Sequence, residues 1–153
     1  MQKPSHMTHF ESIAMKRLDA QATLPTRAHP EDAGMDLYSS EDAMLAPAHK
    51  AGNGRPVKTG IAMAIPQGYV GMIADRSSLG KKGIKVAGGI VDAGYRGEVQ
   101  VLLWNLSHEE VVLKKGERIA QMLLIPIATP RVEEVANLDE TARGAGGFGS
   151  TGK

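Results

Sequence analysis

Short apolar runs, cut by glycine, proline or polar clusters, recur along this chain. Apolar positions almost never return at the spacing of a helix. Residues 13–18 read as strand, and residues 23–32, with Pro25 and Pro30, as loop. Residues 33–39 form a short strand that begins at a glycine. Residues 41–56 hold Pro47, Pro56 and Gly52-Asn53-Gly54 and read as a surface loop or hairpin tip. Strands follow at 57–65 and 69–74, separated by the turn Pro66-Gln67-Gly68. Residues 76–83 break the pattern, and Ser77 or Ser78 could cap one short helix ending at Gly80 or Gly83. Beyond it come apolar runs at 84–86, 90–92, 99–106, 111–113 and 119–127, then a last strand at 131–135. Many short strands at near-regular spacing predict an all-β single domain, a closed sandwich or barrel with one short helix.

The organisation predicted is a leader at residues 1–10, read as disordered, a β core at 11–136 and a C-terminal glycine-rich arm at 137–153. With 153 residues the chain can bury one proper core. Its 18 glycines and 8 prolines suit strands joined by tight turns.

Charge and composition mainly exclude. Eighteen basic against 17 acidic residues is not the balance of a nucleic-acid scaffold. Without cysteine there is no disulfide framework and no thiolate ligand or nucleophile. No apolar run approaches the ~20 residues of a membrane span, and the first ten residues lack a signal peptide's apolar centre. The expected setting is soluble and cytoplasmic, with no membrane. His6, His9, His29, His49 and His108 show no zinc-site spacing, and no G-x-S-x-G elbow occurs.

Four internal stretches carry candidate chemistry. In Ala33-Gly34-Met35-Asp36-Leu37 an aspartate within an apolar strand needs a partner, unless it faces a turn. Asp75-Arg76-Ser77-Ser78-Leu79-Gly80 combines a guanidinium, two hydroxyls and a helix start, a phosphate-binding arrangement or an ordinary cap. In Gly88-Gly89-Ile90-Val91-Asp92-Ala93-Gly94-Tyr95-Arg96-Gly97-Glu98, Asp92 can orient a water as general base and Tyr95 can stack on a sugar or base. The same stretch also fits a hairpin with Asp in its turn. Gln121, in Gly116-Glu117-Arg118-Ile119-Ala120-Gln121, is an amide in an apolar strand, whose partners are either backbone or ligand.

The tail, Arg143 to Lys153, holds five glycines with Phe148, Ser150 and Thr151. It reads either as a low-complexity end or as a segment that wraps a ligand, with open backbone N–H groups, the Arg143 fork and the flat Phe148 ring. Gly144 to Gly149 fits G-x-G-x-x-G, and Gly147 to Lys153 fits the start of a P-loop. Both motifs need a strand before them, and residues 137–142 are a polar linker, so the matches are incidental.

In this order, the five stretches resemble the homotrimeric dUTPase family (deoxyuridine 5'-triphosphate nucleotidohydrolases) over about residues 33–152. The resemblance implies a β jelly roll assembled as a homotrimer with shared active sites, each closed by another subunit's C-terminal arm. It implies cleavage of dUTP with Mg²⁺ to dUMP and pyrophosphate, which limits uracil in DNA and supplies dUMP for thymidylate synthesis. Asp92 would hold the attacking water and meet the 3′-hydroxyl, and Tyr95 would pack under the deoxyribose. Arg76, Ser77, Ser78 and Gln121 would contact phosphates, and the backbone around Gly89 would read the uracil edge. Asp36 would act through the water shell of Mg²⁺, with no direct protein ligand to the metal. Phe148 would stack on uracil beside Gly149, while Arg143, Ser150 and Thr151 would grip the far phosphates. Val86 stands where certain relatives carry asparagine, so base reading would rest more on main chain. Gly80 stands where alanine is common.

Two other readings are a dCTP deaminase, which shares the fold, and a dUTP-sensing regulatory protein that binds a protein partner. The Asp92/Tyr95 hairpin and the Phe148 tail argue against the first, and the intact Asp92 against the second.

Overall fold

The structure is a computed structural model, described here for residues 11–146. Eleven strands and two one-turn helices occur among the described residues. In order they are β1 (Met15–Arg17), β2 (Met35–Tyr38), β3 (Ala43–Leu45), α1 (Ala48–Ala51), β4 (Arg55–Lys58), β5 (Ile61–Met63) and β6 (Tyr69–Ala74). Then follow α2 (Ser77–Gly80), β7 (Ile84–Ala87), β8 (Ile90–Val91), β9 (Gln100–Asn105), β10 (Val111–Leu113) and β11 (Arg118–Pro126). The two larger sheets run β2-β11-β6-β8 and β4-β9-β7, and β1-β5 and β10-β3 form two-stranded sheets. All these pairings are antiparallel, as the jelly-roll expectation requires.

Strand alternation builds the core. On β9, Val101, Leu103 and Asn105 are buried while Gln100 faces water, so one face of the strand meets the interior. Leu37, Leu45, Val57, Ile61, Ile84, Leu113, Ile119 and Met122 fill the space between the sheets. Fully burying one such side chain stabilises by about 1.5–3 kcal/mol. The buried polar Asn105 is satisfied: its amide donates to the Leu45 carbonyl at 2.8 Å and to the Glu109 carbonyl at 2.7 Å. It thereby ties the β9–β10 turn to β3.

Several expected elements differ. Residues 41–56 are not simply loop, because Ala43 and Leu45 are buried and β3 pairs with β10. A second helix, α1, follows Pro47 and stops at Gly52, whose φ of 71° suits glycine. Four residues are too few to show a helical period, so the pattern could not reveal it. The strand expected at 57–65 is two strands, because the chain turns at Gly60 with φ 68°. Neither Ser77 nor Ser78 caps α2: its N-cap is Arg76, with no side-chain cap bond. Residues 131–135 form no strand. All five are exposed, Val132 completely, and nothing in the described chain pairs with them. A strand needs a partner for its backbone groups, and apolar content alone does not supply one.

Candidate active site

Across β2, β11 and β6 the register places Asp36, Gln121 and Ala74 side by side. The expected partner of Asp36 is a pair of arginines. Arg76 Nε donates to Asp36 Oδ1 at 2.9 Å and Arg118 Nη1 to Oδ2 at 3.2 Å. Arg76 Nη1 also donates to the Arg118 carbonyl at 3.2 Å. Bonds with both partners charged are short and strong, so the Arg76 guanidinium is held in one place. Its other contact is weak, a 3.4 Å reach to Ser78 Oγ. Ser77 and Ser78 are exposed at the head of α2.

Gln121 is half-buried, and its Nε2 donates to the Asp75 carbonyl at 2.8 Å. Backbone, not only a ligand, satisfies the amide. Gly34 makes this possible, since a Cβ there would lie 2.2 Å from Gln121 Oε1.

Asp92, Tyr95, Gly88, Ile90 and Gln100 line a cleft of about 340 Å³, floored by Ile73, Val91 and Val99. Asp92 leads out of β8 and its carbonyl accepts the Tyr95 N–H at 3.0 Å, the tight turn expected of Ala93-Gly94. The Asp92 carboxylate is exposed and accepts no bond from a described residue. Tyr95 O–H donates to the Glu98 carbonyl at 2.9 Å, which lays the ring over Gly97, where a Cβ would lie 2.4 Å from the hydroxyl. Gly89 packs against β6: a Cβ would sit 2.3 Å from the Ile73 carbonyl, which leaves room only for glycine.

The two clusters do not meet in one chain. Val91 pairs with Gly71, so Asp92 lies level with Val70 near the start of β6, while Arg76 stands two residues past the strand's other end. At 3.3 Å per residue they are roughly 20 Å apart along the strand. Arg143 reaches neither cluster, its Nε donating to the Gly146 carbonyl at 3.0 Å within a local turn. Phe148, Gly149, Ser150 and Thr151 lie outside the described residues.

Two residues near the phosphate-type cluster escaped sequence reasoning. Arg118 was visible only as part of a turn. Asp75 was visible only as the residue before Arg76, and the one available signal was an aspartate ending an apolar strand with Lys85 ten residues on. Its carboxylate accepts the Val86 N–H at 2.6 Å and pairs with Lys85. Burial pushes the Asp75 carboxyl up, but the Lys85 ammonium and the Val86 N–H outweigh it and hold the group below its ordinary value.

No three His, Cys, Asp or Glu side chains cluster around a metal-sized space among the described residues. The donors present suit a hard cation carried on substrate phosphates, where one carboxylate such as Asp36 can meet its water shell.

A family model described as dUTPase matches residues 20–152. The deoxyuridine 5'-triphosphate nucleotidohydrolase of Rhodococcus erythropolis is 47% identical over 150 residues, covering 95% of this chain and 89% of its own length. The enzyme of the same name from Mus musculus is 47% identical over 143 residues, covering 93% and 86%. The solved dUTPase of Staphylococcus bacteriophage 80alpha with dUPNHPP has a TM-score of 0.84 at 31% identity, covering 94% of this chain and all of that one. A dUTPase from phage phi11 of S. aureus, described with a structural Mg(II) ion, has a TM-score of 0.74 at 27% identity, covering 82% and 97%.

Proposed function

The chain belongs to the dUTPase family, and on that premise we propose that it hydrolyses dUTP to dUMP and pyrophosphate with the residues of these two clusters. It is a dUTP diphosphatase, which limits uracil incorporation into DNA and supplies dUMP for thymidylate synthesis. Neither the dCTP deaminase reading nor the dUTP-sensing binder is favoured by relatives of that name.

The observation that carries the assignment of roles is the exposed Asp92 carboxylate, bonded to no described residue, at the cleft beside Tyr95. A carboxylate that no described residue bonds can hold a water. Water adds to the α-phosphorus, its proton passes to Asp92, and the bond to the bridging oxygen of the β-phosphate breaks. Pyrophosphate leaves. Tyr95, fixed through its hydroxyl to Glu98, presents its ring to the deoxyribose. Gly89, backed directly by Ile73, brings main chain to the base edge. Arg76, Ser77, Ser78 and Gln121 neutralise and align the phosphates. Mg²⁺, when bound to the triphosphate, would add further charge neutralisation, and Asp36 would be the residue to meet its water shell.

The gap between the clusters supports a homotrimer with shared sites, in which one subunit's Asp92 cleft faces another's Arg76 and Asp36. The arm from Arg143 onward, with Phe148, Gly149, Ser150 and Thr151, closes the site from a neighbouring subunit. No described helix is long and apolar enough to cross a membrane. The reading carries a cytoplasmic setting with it, where deoxynucleoside triphosphates are made and used.

The test is a panel of deoxynucleoside triphosphates with Mg²⁺, read as pyrophosphate and monophosphate released, beside the mass in solution. Selective dUTP turnover and a mass three times the 16.3 kDa chain are expected. Equal turnover of dTTP, or none of dUTP, would overturn the activity, and a monomer would overturn the shared site.

A further inference from the structure

We infer that Asp75 is a positioning residue that closes the base of the loop presenting Arg76, Ser77 and Ser78 to the substrate's phosphates. The inference rests on the dUTP reading above. Residues 76–83 leave β6 in one sheet and return as β7 in the other, and β7 is the edge strand of its sheet. An edge strand has backbone groups with no neighbouring strand to meet. Val86, paired with Leu103 of β9 in register, turns its N–H to the Asp75 carboxylate at 2.6 Å. One side chain thus joins the two sheets where the loop begins and ends.

Asp75 is tied at three points. Its carboxylate takes the Val86 N–H and the Lys85 ammonium, and its carbonyl takes the Gln121 amide at 2.8 Å. The next residue is Arg76, which is bonded to Asp36. Moving Asp75 therefore moves Gln121 and Arg76 together. Its side chain is 28% exposed, so the bonds are partly shielded from water. Lys85 is 60% exposed, and its ammonium is the weaker tie. The Val86 N–H has a single acceptor and a fixed direction, so it carries the geometry.

Asp75→Ala, Asp75→Asn and Lys85→Met are compared with the wild type as full chains. Binding of dUpNHpp and of dUMP is measured by calorimetry, and kcat and KM on dUTP by pyrophosphate release. A displaced loop loses phosphate contacts, and a misplacement of about 1 Å in such a site costs up to ~10²-fold. Asp75→Ala is expected to weaken dUpNHpp roughly tenfold or more and dUMP much less. Asp75→Asn keeps an oxygen for Val86 and recovers most of the loss, while Lys85→Met stays near the wild type.

Equal loss for both ligands, or no loss, overturns the inference, as does Asp75→Asn behaving like Asp75→Ala. Should Asp75→Ala not fold, Asp75→Glu, which displaces the acceptor by one methylene, takes its place with the same two outcomes. A wild type without dUTP turnover removes the function itself. A wild type with turnover and indifferent variants removes only the role of Asp75.

Discussion

Gly34 and Gln121 fit together with no room to spare: a Cβ on Gly34 would stand 2.2 Å from Gln121 Oε1 and 3.0 Å from Cδ. Gln121 would have to swing away and drop its bond to the Asp75 carbonyl. Gly34→Ala is therefore expected to cost about 1–3 kcal/mol of stability, the range for overpacking. It should also reduce kcat/KM on dUTP. Urea unfolding and steady-state kinetics check it, and unchanged kinetics would mean Gln121 does not serve the substrate.

Asp92→Asn tests the base. The carboxylate is exposed and bonded to no described residue, so stability should hold within about 0.5 kcal/mol. An amide cannot take the proton, and kcat should fall by about 10²–10⁴-fold while dUpNHpp still binds. Wild-type turnover in this variant would remove Asp92 from the mechanism.

Gly89→Ala acts on backbone rather than on a side chain. The new Cβ would meet the Ile73 carbonyl at 2.3 Å, and the Ile73 N–H to Gly89 carbonyl bond, 2.6 Å, would be disturbed. A strand cannot yield as a side-chain tip can. A destabilisation of about 1–3 kcal/mol is expected, with a raised KM for dUTP. A melting curve identical to wild type would contradict the tight contact.

Acid should weaken the fold in a defined window. Asp42 is held low first by the Lys115 N–H and then by the Lys114 ammonium. Asp19 is held low first by the Gln21 N–H, against a smaller upward push from burial and with further help from Lys115. Asp75 is held low as described. A carboxyl whose folded value is depressed adds stability above the unfolded value, about 3.9, and loses it as pH falls through the folded value. Stability should show no loss from these groups between neutrality and about pH 4.5 and then decline. Melts between pH 2.5 and 7 check this, and Asp75→Asn should flatten part of the acid limb.

Removing residues 143–153 should spare the fold, because residues 128–145 are exposed and contribute nothing to the core. The melting temperature and oligomeric mass should stay as in the full chain while dUTP turnover nearly vanishes. Full activity after truncation would separate the arm from the site.

The strands were legible where apolar and polar positions alternate, as on β9, or where a run sits between turn residues, as on β6. Alternation is local, and burial of one face converts it directly into a strand. The α1 turn and β3 were illegible because three or four residues carry no period. The strand expected at 131–135 failed because pairing is decided by a partner elsewhere. Asp92 and Tyr95 were readable from the tight glycine turn that presents them. Arg118 was not, because Asp36 lies 82 positions away, and Asp75 was not, because Val86 reaches it only once β7 folds back beside the loop.

By itself, then, the chain determined most of the segments that extend and the tight turns between them, and it offered candidates for the chemistry, since these follow from neighbours a few residues apart. Tertiary structure alone decided that Asp36 meets Arg76, 40 positions away, that Asp75 ties one sheet to the edge of another, and that Asp92 and Arg76 stand near opposite ends of one strand. Those relations depend on strand order and register. They arise only when the whole core closes around its buried faces and brings distant backbone into line.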